Sequence, residues 1–317
     1  MFPEKQQNIR TPRSPSGGLM TSPCQELYIP TFDGTYLKGE LRLPEGPGPF
    51  PAVLYIHGGV GGTPPGPGYS SYVRSHILAD GYAYLDLDYR RYHFGAEELE
   101  DAVAGYRYLC ALPEIISDRV AVLGDSHGGY LALMLATRER PPAVVVYAGL
   151  VDAFGLFYQR AQPYVEAAYR NFDWYERWLR GGLSIREEAE LLAKGPLPAR
   201  EPVGIGDEVA QDLAFRWGGD QSIYRRYCPL AQYESIESPI LYVVGGEDPF
   251  KEGGQKLVAG LQELGRPAVY SEHPGMGHSF AFGRELDEEG DIHPEFYKSL
   301  RLTSGFLRQW VKAPATA

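Results

Sequence analysis

A chain of 317 residues, 44% apolar and 22% charged, has the composition of a soluble globular protein and enough material for one large α/β core or two modest ones. Its net charge of −11 argues against a nucleic-acid partner, which calls for a basic face. No apolar run is long enough to cross a membrane, and the three scattered cysteines, Cys24, Cys110 and Cys228, show neither metal-ligand spacing nor the even count of a disulfide framework. They read as reduced thiols, and with no apolar leader segment at the N-terminus the expected compartment is the cytoplasm.

Residues 1–24, rich in Pro, Ser, Gly and Gln, read as a loose tail, and Met20 offers an alternative start within it. Leu27–Ile29 and Tyr36–Leu43 alternate like strands around the turn Asp33-Gly34, a hairpin signature. After a Pro/Gly connection, Ala52–Ile56 is a continuous apolar run of the kind found in parallel sheets, and it leads into His57-Gly-Gly-Val-Gly-Gly62. A helix over about 69–79 precedes the strand Tyr82–Asp88. Leu99, Val103, Tyr106 and Cys110 then fall at helical spacing, which predicts a helix over Ala96–Ala111.

The stretch Arg119–Arg138 is the centre of the pattern. It reads as a buried strand (Val120–Leu123), a tight turn, and an apolar helix from about Gly128. The turn is Gly124-Asp-Ser-His-Gly128, a G-x-S-x-G nucleophile elbow. Such an elbow holds Ser126 on a strained corner with Oγ exposed, and its glycines remove Cβ atoms where strand and helix nearly touch. The helix N-terminus beneath supplies N–H groups to an anion.

Another strand follows at Ala143–Tyr147, and then the alternation stops. Residues 151–235 carry aromatic-rich helical stretches, an acidic helix (Ser184–Lys194) and a Pro/Gly-rich loop, too much structure for a plain connection. They read as an inserted helical cap. The core resumes with the strand Pro239–Gly245, a helix over 253–264, the strand Ala268–Glu272 and a closing helix over 294–311. The core is thus 25–150 plus 236–317. Apolar strands alternating with helices imply a mostly parallel, doubly wound sheet.

In such sheets ligands bind beyond the carboxyl ends of the strands. Four strand ends carry candidate chemistry: Ser126, Asp248 in Gly245-Gly-Glu-Asp-Pro249, His278 in Pro274-Gly-Met-Gly-His-Ser-Phe280, and His57-Gly58-Gly59. The order Ser…Asp…His suits a nucleophile, an orienting acid and a general base. The backbone N–H of Gly59, with Val60 as runner-up, could join that of His127 as an oxyanion hole. Glu247 rivals Asp248. His273, His293 and His127 rival His278, the first two better read as structural and the third as lining a pocket. Arg90 and Arg91 read as surface or salt-bridging residues, with contact to an anionic substrate as the lesser alternative. The cap aromatics read as the cap's own packing or as a wall for an acyl or alcohol group. Tyr158, Trp174, His57 and Gly58 are the candidates for substrate contact.

These residues resemble the α/β-hydrolase superfamily, in particular the catalytic domains of the prolyl oligopeptidase family and their esterase and dienelactone-hydrolase-like relatives. The resemblance rests on His57-Gly58-Gly59, Asp88-Tyr-Arg, Glu98-Leu-Glu-Asp-Ala-Val, Gly124-Asp-Ser-His-Gly-Gly129, Tyr227-Cys-Pro-Leu230, Gly246-Glu-Asp248 and Gly277-His278. It spans roughly Gln25 to Val311 without much of the cap. It implies an α/β-hydrolase fold, a triad of Ser126, Asp248 and His278, and no cofactor or metal. The family's peptidases usually carry a β-propeller that this length does not accommodate, and a cap at this place in the chain is more usual among esterases. The expected activity is therefore hydrolysis of a small-molecule carboxylic ester through an acyl-enzyme. The alternative is a peptidase or amidase, in which Glu166 or Glu187/Glu188 would bind an α-amine. A non-catalytic binding protein is the third reading, and a homo-oligomer stays open.

Overall fold

The computed structural model describes residues 24–59, 71–90, 96–170, 177, 184–194, 210, 213–214 and 217–312. Its centre is one sheet of eight strands: β1 (Cys24–Pro30), β2 (Tyr36–Arg42), β3 (Phe50–Ile56), β4 (Ala83–Asp88), β5 (Ile115–Asp125), β6 (Val144–Tyr147), β7 (Ile240–Gly245) and β8 (Ala268–His273). Their spatial order is β1-β2-β4-β3-β5-β6-β7-β8. The β1–β2 hairpin joins antiparallel to β4, and every pairing from β4 onward is parallel.

The hairpin turn is made by Asp33, whose Oδ1 accepts from Thr31 Oγ1 (2.6 Å) and Thr35 N (3.0 Å), and by Gly34 at φ 84°. Its first strand takes in Cys24, assigned above to the tail, which pairs with Arg42. The inner parallel strands β3, β6 and β7 are buried on both faces, which is why they read as unbroken apolar runs, whereas the edge strand β8 is partly exposed. β5 extends further than its apolar run suggests. It starts at Ile115 and passes through Ser117 and Asp118, exposed or nearly so, which carry none of the burial signal of Val120–Asp125.

Helices cover the sheet on both sides. α1 (Ser71–Ala79) meets α9 (Pro294–Leu307) through His76 Nε2 and Ser304 Oγ, 2.7 Å apart. α2 (Ala96–Ala111) packs against α3 (His127–Ala136), which is buried from Gly128 to Ala136. An apolar circumference is the mark of a helix inside a core. Between β6 and β7 the described residues include the helices α4 (Ala153–Arg170), α5 (Ile185–Leu192), α6 (Gln221–Arg226) and α7 (Pro229–Gln232) and no strand. Ser184 and Glu187 open α5 with a reciprocal capping box. Trp174 and the loop 195–206 lie outside the described residues. α8 (Lys251–Glu263) links β7 to β8. Among the described residues no helix is long and apolar enough to cross a membrane.

Candidate active site

The elbow between β5 and α3 is strained as its sequence demands. Ser126 has φ 50° and ψ −116°, a conformation non-glycine residues adopt only when their surroundings enforce it. Enforcement comes from the backbone: Ser126 N donates to Tyr147 O (2.8 Å), and Ser126 O accepts from Tyr130 N (3.1 Å) and Leu150 N (3.3 Å). Gly124 lies so near the turning helix that a Cβ on it would stand 2.2 Å from Gly128 O.

The two distant partners arrive from the ends of β7 and β8. Asp248 sits in the turn after β7, its N donating to Gly245 O (3.1 Å) and its Oδ1 accepting from Phe250 N (2.8 Å). Its carboxylate is fully buried. His278 opens a 3-10 turn (His278–Phe282) beyond β8. Its Nδ1 is 2.8 Å from Asp248 Oδ2 and its Nε2 is 2.9 Å from Ser126 Oγ, with Phe250 edge-on to the ring at 5.2 Å. An Nδ1–H donated to Asp248 leaves the Nε2 lone pair facing the serine hydroxyl, the arrangement needed to remove its proton. The three residues singled out from sequence thus form one hydrogen-bonded row.

The glycine loop after β3 lies against the nucleophile. A Cβ on Gly58 would stand 3.0 Å from Ser126 Cβ and 2.5 Å from Asp125 Oδ2. Gly58 N donates to that oxygen (3.1 Å), and Gly59 follows at φ 79°. His127, the other expected donor residue, begins α3. Val60 lies outside the described residues. Tyr89, at the end of β4, supports the loop from beneath, its hydroxyl donating to His57 O (2.9 Å) and reaching Gly59 O (3.2 Å). The His57 ring stacks on Tyr89 at 4.7 Å, donates from Nδ1 to Gly58 O (2.8 Å), and points Nε2 toward Asp88 (3.7 Å). Burial opposes the charge on His57, but Asp88 and the Gly58 carbonyl outweigh it and raise the pKa. The ring is thus a buried prop of the loop.

Three acidic residues near the elbow lie in stretches that carry the resemblance, without a role assigned to them there. Asp125 is completely buried and accepts from both Tyr55 Oη (2.5 Å) and Gly58 N, tying β3 and the glycine loop to β5. Burial pushes its pKa up to about 6 against the pull of these donors. Glu98, buried on α2, holds His127 Nε2 at 2.7 Å, and the His127 ring lies between Tyr89 and Tyr130. Asp101, on the same helix, holds Arg90, which also reaches Asp33 at the hairpin tip. Arg90 is therefore salt-bridging as expected.

The rival residues are engaged elsewhere. His273 pairs through Nδ1 with Glu295 (2.8 Å), and His293 caps α9 by accepting from Glu295 N (3.2 Å). Glu247 is exposed beside the buried Asp248. Tyr158 stacks on Phe154 at 5.0 Å, meets Tyr224 edge-on at 5.2 Å, and accepts from Gln221 Nε2 (3.0 Å). These are contacts among α4 and α6. Glu166 is exposed, and Glu187 spends its carboxylate on Ser184 and Arg177.

Residues 80–181, which contain the elbow, match the prolyl oligopeptidase family. Esterase LipU of Mycobacterium tuberculosis is 28% identical over 271 residues, 81% of this chain and 77% of LipU. Among solved structures, a thermostable esterase from Pseudomonas putida ECU1011 superposes with a TM-score of 0.64 at 16% identity, covering 94% of this chain and 86% of that one. The chain has the α/β-hydrolase fold. A puromycin-hydrolysing peptidase from Mycobacterium tuberculosis also shares it, with a TM-score of 0.60 at 19% identity. That likeness covers 95% of this chain and 41% of the peptidase. The hydrolase sheet explains why Ser126, Asp248, His278 and the glycine loop meet: each stands just past the carboxyl end of a parallel strand.

Proposed function

We propose that this protein is a serine hydrolase of carboxylic esters working through an acyl-enzyme, and the observation that carries the reading is the Ser126–His278–Asp248 row at 2.9 and 2.8 Å. Ser126 Oγ attacks the acyl carbon while His278 Nε2 takes its proton. Asp248 keeps the imidazole tautomer and stabilises the imidazolium. The oxyanion of the tetrahedral intermediate accepts from the backbone N–H groups of Gly59, or Val60 as runner-up, and His127. Collapse breaks the ester bond, and the alcohol leaves with the proton held by His278. Water, deprotonated by the same imidazole, then frees the acid and regenerates Ser126.

The reading of residues 151–235 as a helical cap is supported by the helices α4 to α7 between β6 and β7. The packing of Tyr158 against Phe154 and Tyr224 favours aromatics that build the cap's own core. The name of LipU supports an ester over an amide, as does the engagement of Glu187 outside any amine-binding role. The substrate is a small-molecule ester, and the three free thiols suit a reducing cytoplasm. The match to the prolyl oligopeptidase family keeps peptide or amide hydrolysis as the second reading.

The test is a screen of wild type and Ser126→Ala on p-nitrophenyl esters of increasing chain length and on aminoacyl p-nitroanilides. The esters should be hydrolysed, with the variant slower by about 10⁴-fold or more. Wild-type rates from Ser126→Ala would refute the nucleophile. Anilide turnover matching that of the esters would make the peptidase reading primary.

A further inference from the structure

The general base hangs on a short loop, and something must hold that loop in place. His278 is a third exposed and follows Gly277, whose extended backbone enters the 3-10 turn with no side-chain cap from Gly277 itself. The N–H groups at the start of such a turn are short of partners within it. Glu285 supplies one: its Oε1 accepts from Gly277 N at 2.8 Å and from Phe280 N at 3.1 Å, a donor that also reaches Gly277 O at 3.4 Å. The two donors bracket His278. One carboxylate oxygen thus spans the residue that carries the imidazole, through charge-assisted bonds, the stronger kind. The approach is close enough that a Cβ on Gly277 would stand 3.0 Å from that oxygen.

Glu285 is itself anchored. Its carbonyl accepts from His293 N (2.9 Å), and Leu286 bridges Ile292 across the excursion between them. His293 caps α9 through Glu295 N, and the Glu295 carboxylate reaches back to His273 at the end of β8. Phe280, almost wholly buried, packs on His273 and Phe296. The base therefore stands inside a closed belt running from β8 through its own loop to Glu285 and α9, back to β8.

We propose that Glu285 is a positioning residue for His278: Asp248 orients the ring, and Glu285 fixes the backbone that presents it to Ser126. The proposal rests on the reading of Ser126 and His278 given above. Displacing a reacting group by about 1 Å can cost about 10²-fold in rate, so a clamp on the base acts on turnover rather than on substrate binding.

The experiment compares the full chain with its Glu285→Ala, Glu285→Gln and Glu285→Asp variants in kcat and KM on the preferred p-nitrophenyl ester, in the rate of labelling by a fluorophosphonate, and in Tm. Glu285→Ala should lose about 10- to 100-fold in kcat and in labelling rate, with KM within about twofold. Glu285→Gln keeps an acceptor oxygen at the same reach and should recover to within about threefold of wild type. Glu285→Asp keeps the charge but falls one methylene short, and should resemble the alanine variant. Wild-type kcat and labelling in Glu285→Ala would overturn the proposal, as would a glutamine variant as slow as the alanine one. If Glu285→Ala does not fold, the other two variants decide: Gln fast and Asp slow supports the clamp, and equal rates refute it. Failure of the underlying reading shows differently, as labelling that survives Ser126→Ala, and that result would overturn both.

Discussion

Gly128 passes so close beneath Ile56 that a Cβ on it would stand 1.9 Å from the Ile56 carbonyl oxygen. This contact brings the first turn of α3 against the end of β3, and so brings the glycine loop against the nucleophile. The obstructing atom is backbone in a central strand, with no rotamer to yield. Gly128→Ala should therefore cost more than the 1–3 kcal/mol typical of an overpacked core side chain. Thermal melting and soluble yield would show it, and a variant melting within a degree or two of wild type would mean that the elbow can open without loss.

Asp248 offers a cleaner separation of chemistry from stability. Its carboxylate is buried, with one oxygen toward His278 Nδ1 and the other accepting from Phe250 N. Asp248→Asn can keep the bond to Phe250 by its carbonyl oxygen, which turns the amide NH₂ toward Nδ1. The imidazole must then protonate at Nε2 and can no longer accept from Ser126. kcat should fall by about 10⁴-fold with KM and fold largely kept, the pattern of a wrong tautomer. A loss below tenfold would argue against Asp248 as the orienting acid.

The buried carboxylate of Asp125 makes a pH-dependent contribution whose sign can be worked out. Its pKa rises from 3.8 to about 6 on folding, so between about pH 4 and 6 the native state binds more protons than the unfolded one. The associated stability is fully present below the unfolded pKa and is lost as pH rises through about 6. Two units correspond to on the order of 3 kcal/mol. Asp125→Asn carries no such titration, so wild type should gain on the variant as pH falls from 8 toward 4. Melting curves of both across that range are the measurement, and a gap independent of pH would refute it.

What could be read from the chain, and what could not, follows from the range of the forces involved. Ala52–Ile56, Val144–Tyr147 and Ile240–Gly245 announce themselves because burial on two faces leaves no polar positions. Ser117 and Asp118 hide the start of β5 because they face solvent. Ser126 and His278 stand among glycines that tight corners require, whereas Asp248 is separated from Glu247 only by which side chain the turn buries. Glu285 leaves no local trace, and Asp125 and Glu98, although they stand in stretches that carry the resemblance, do not reveal what they hold. A carboxylate can accept from Gly58 N, His127 Nε2 or Gly277 N at any sequence distance, and no spacing rule records the choice.

The Arg90 cluster supplies a last prediction, because its two ion pairs differ in burial. Arg90 donates from Nε and Nη2 to Asp101, whose carboxylate is fully buried, while Nη1 reaches Asp33 on the exposed hairpin tip. Burial raises the pKa of Asp101, and the guanidinium of Arg90 works against it. Arg90→Leu would leave that carboxylate with the Arg90 backbone N–H alone, an uncompensated buried charge that costs on the order of 3 kcal/mol. The loss should reach the site, since the neighbouring Tyr89 supports the glycine loop through its hydroxyl. Removing Asp33 instead takes away only the more exposed partner and leaves the guanidinium held by Asp101, so Asp33→Asn should change Tm far less. Adding Asp101→Asn to Arg90→Leu removes the stranded charge and should recover part of the stability. If the double variant melts no higher than Arg90→Leu alone, the cost lies in lost packing of the arginine stem rather than in the buried carboxylate.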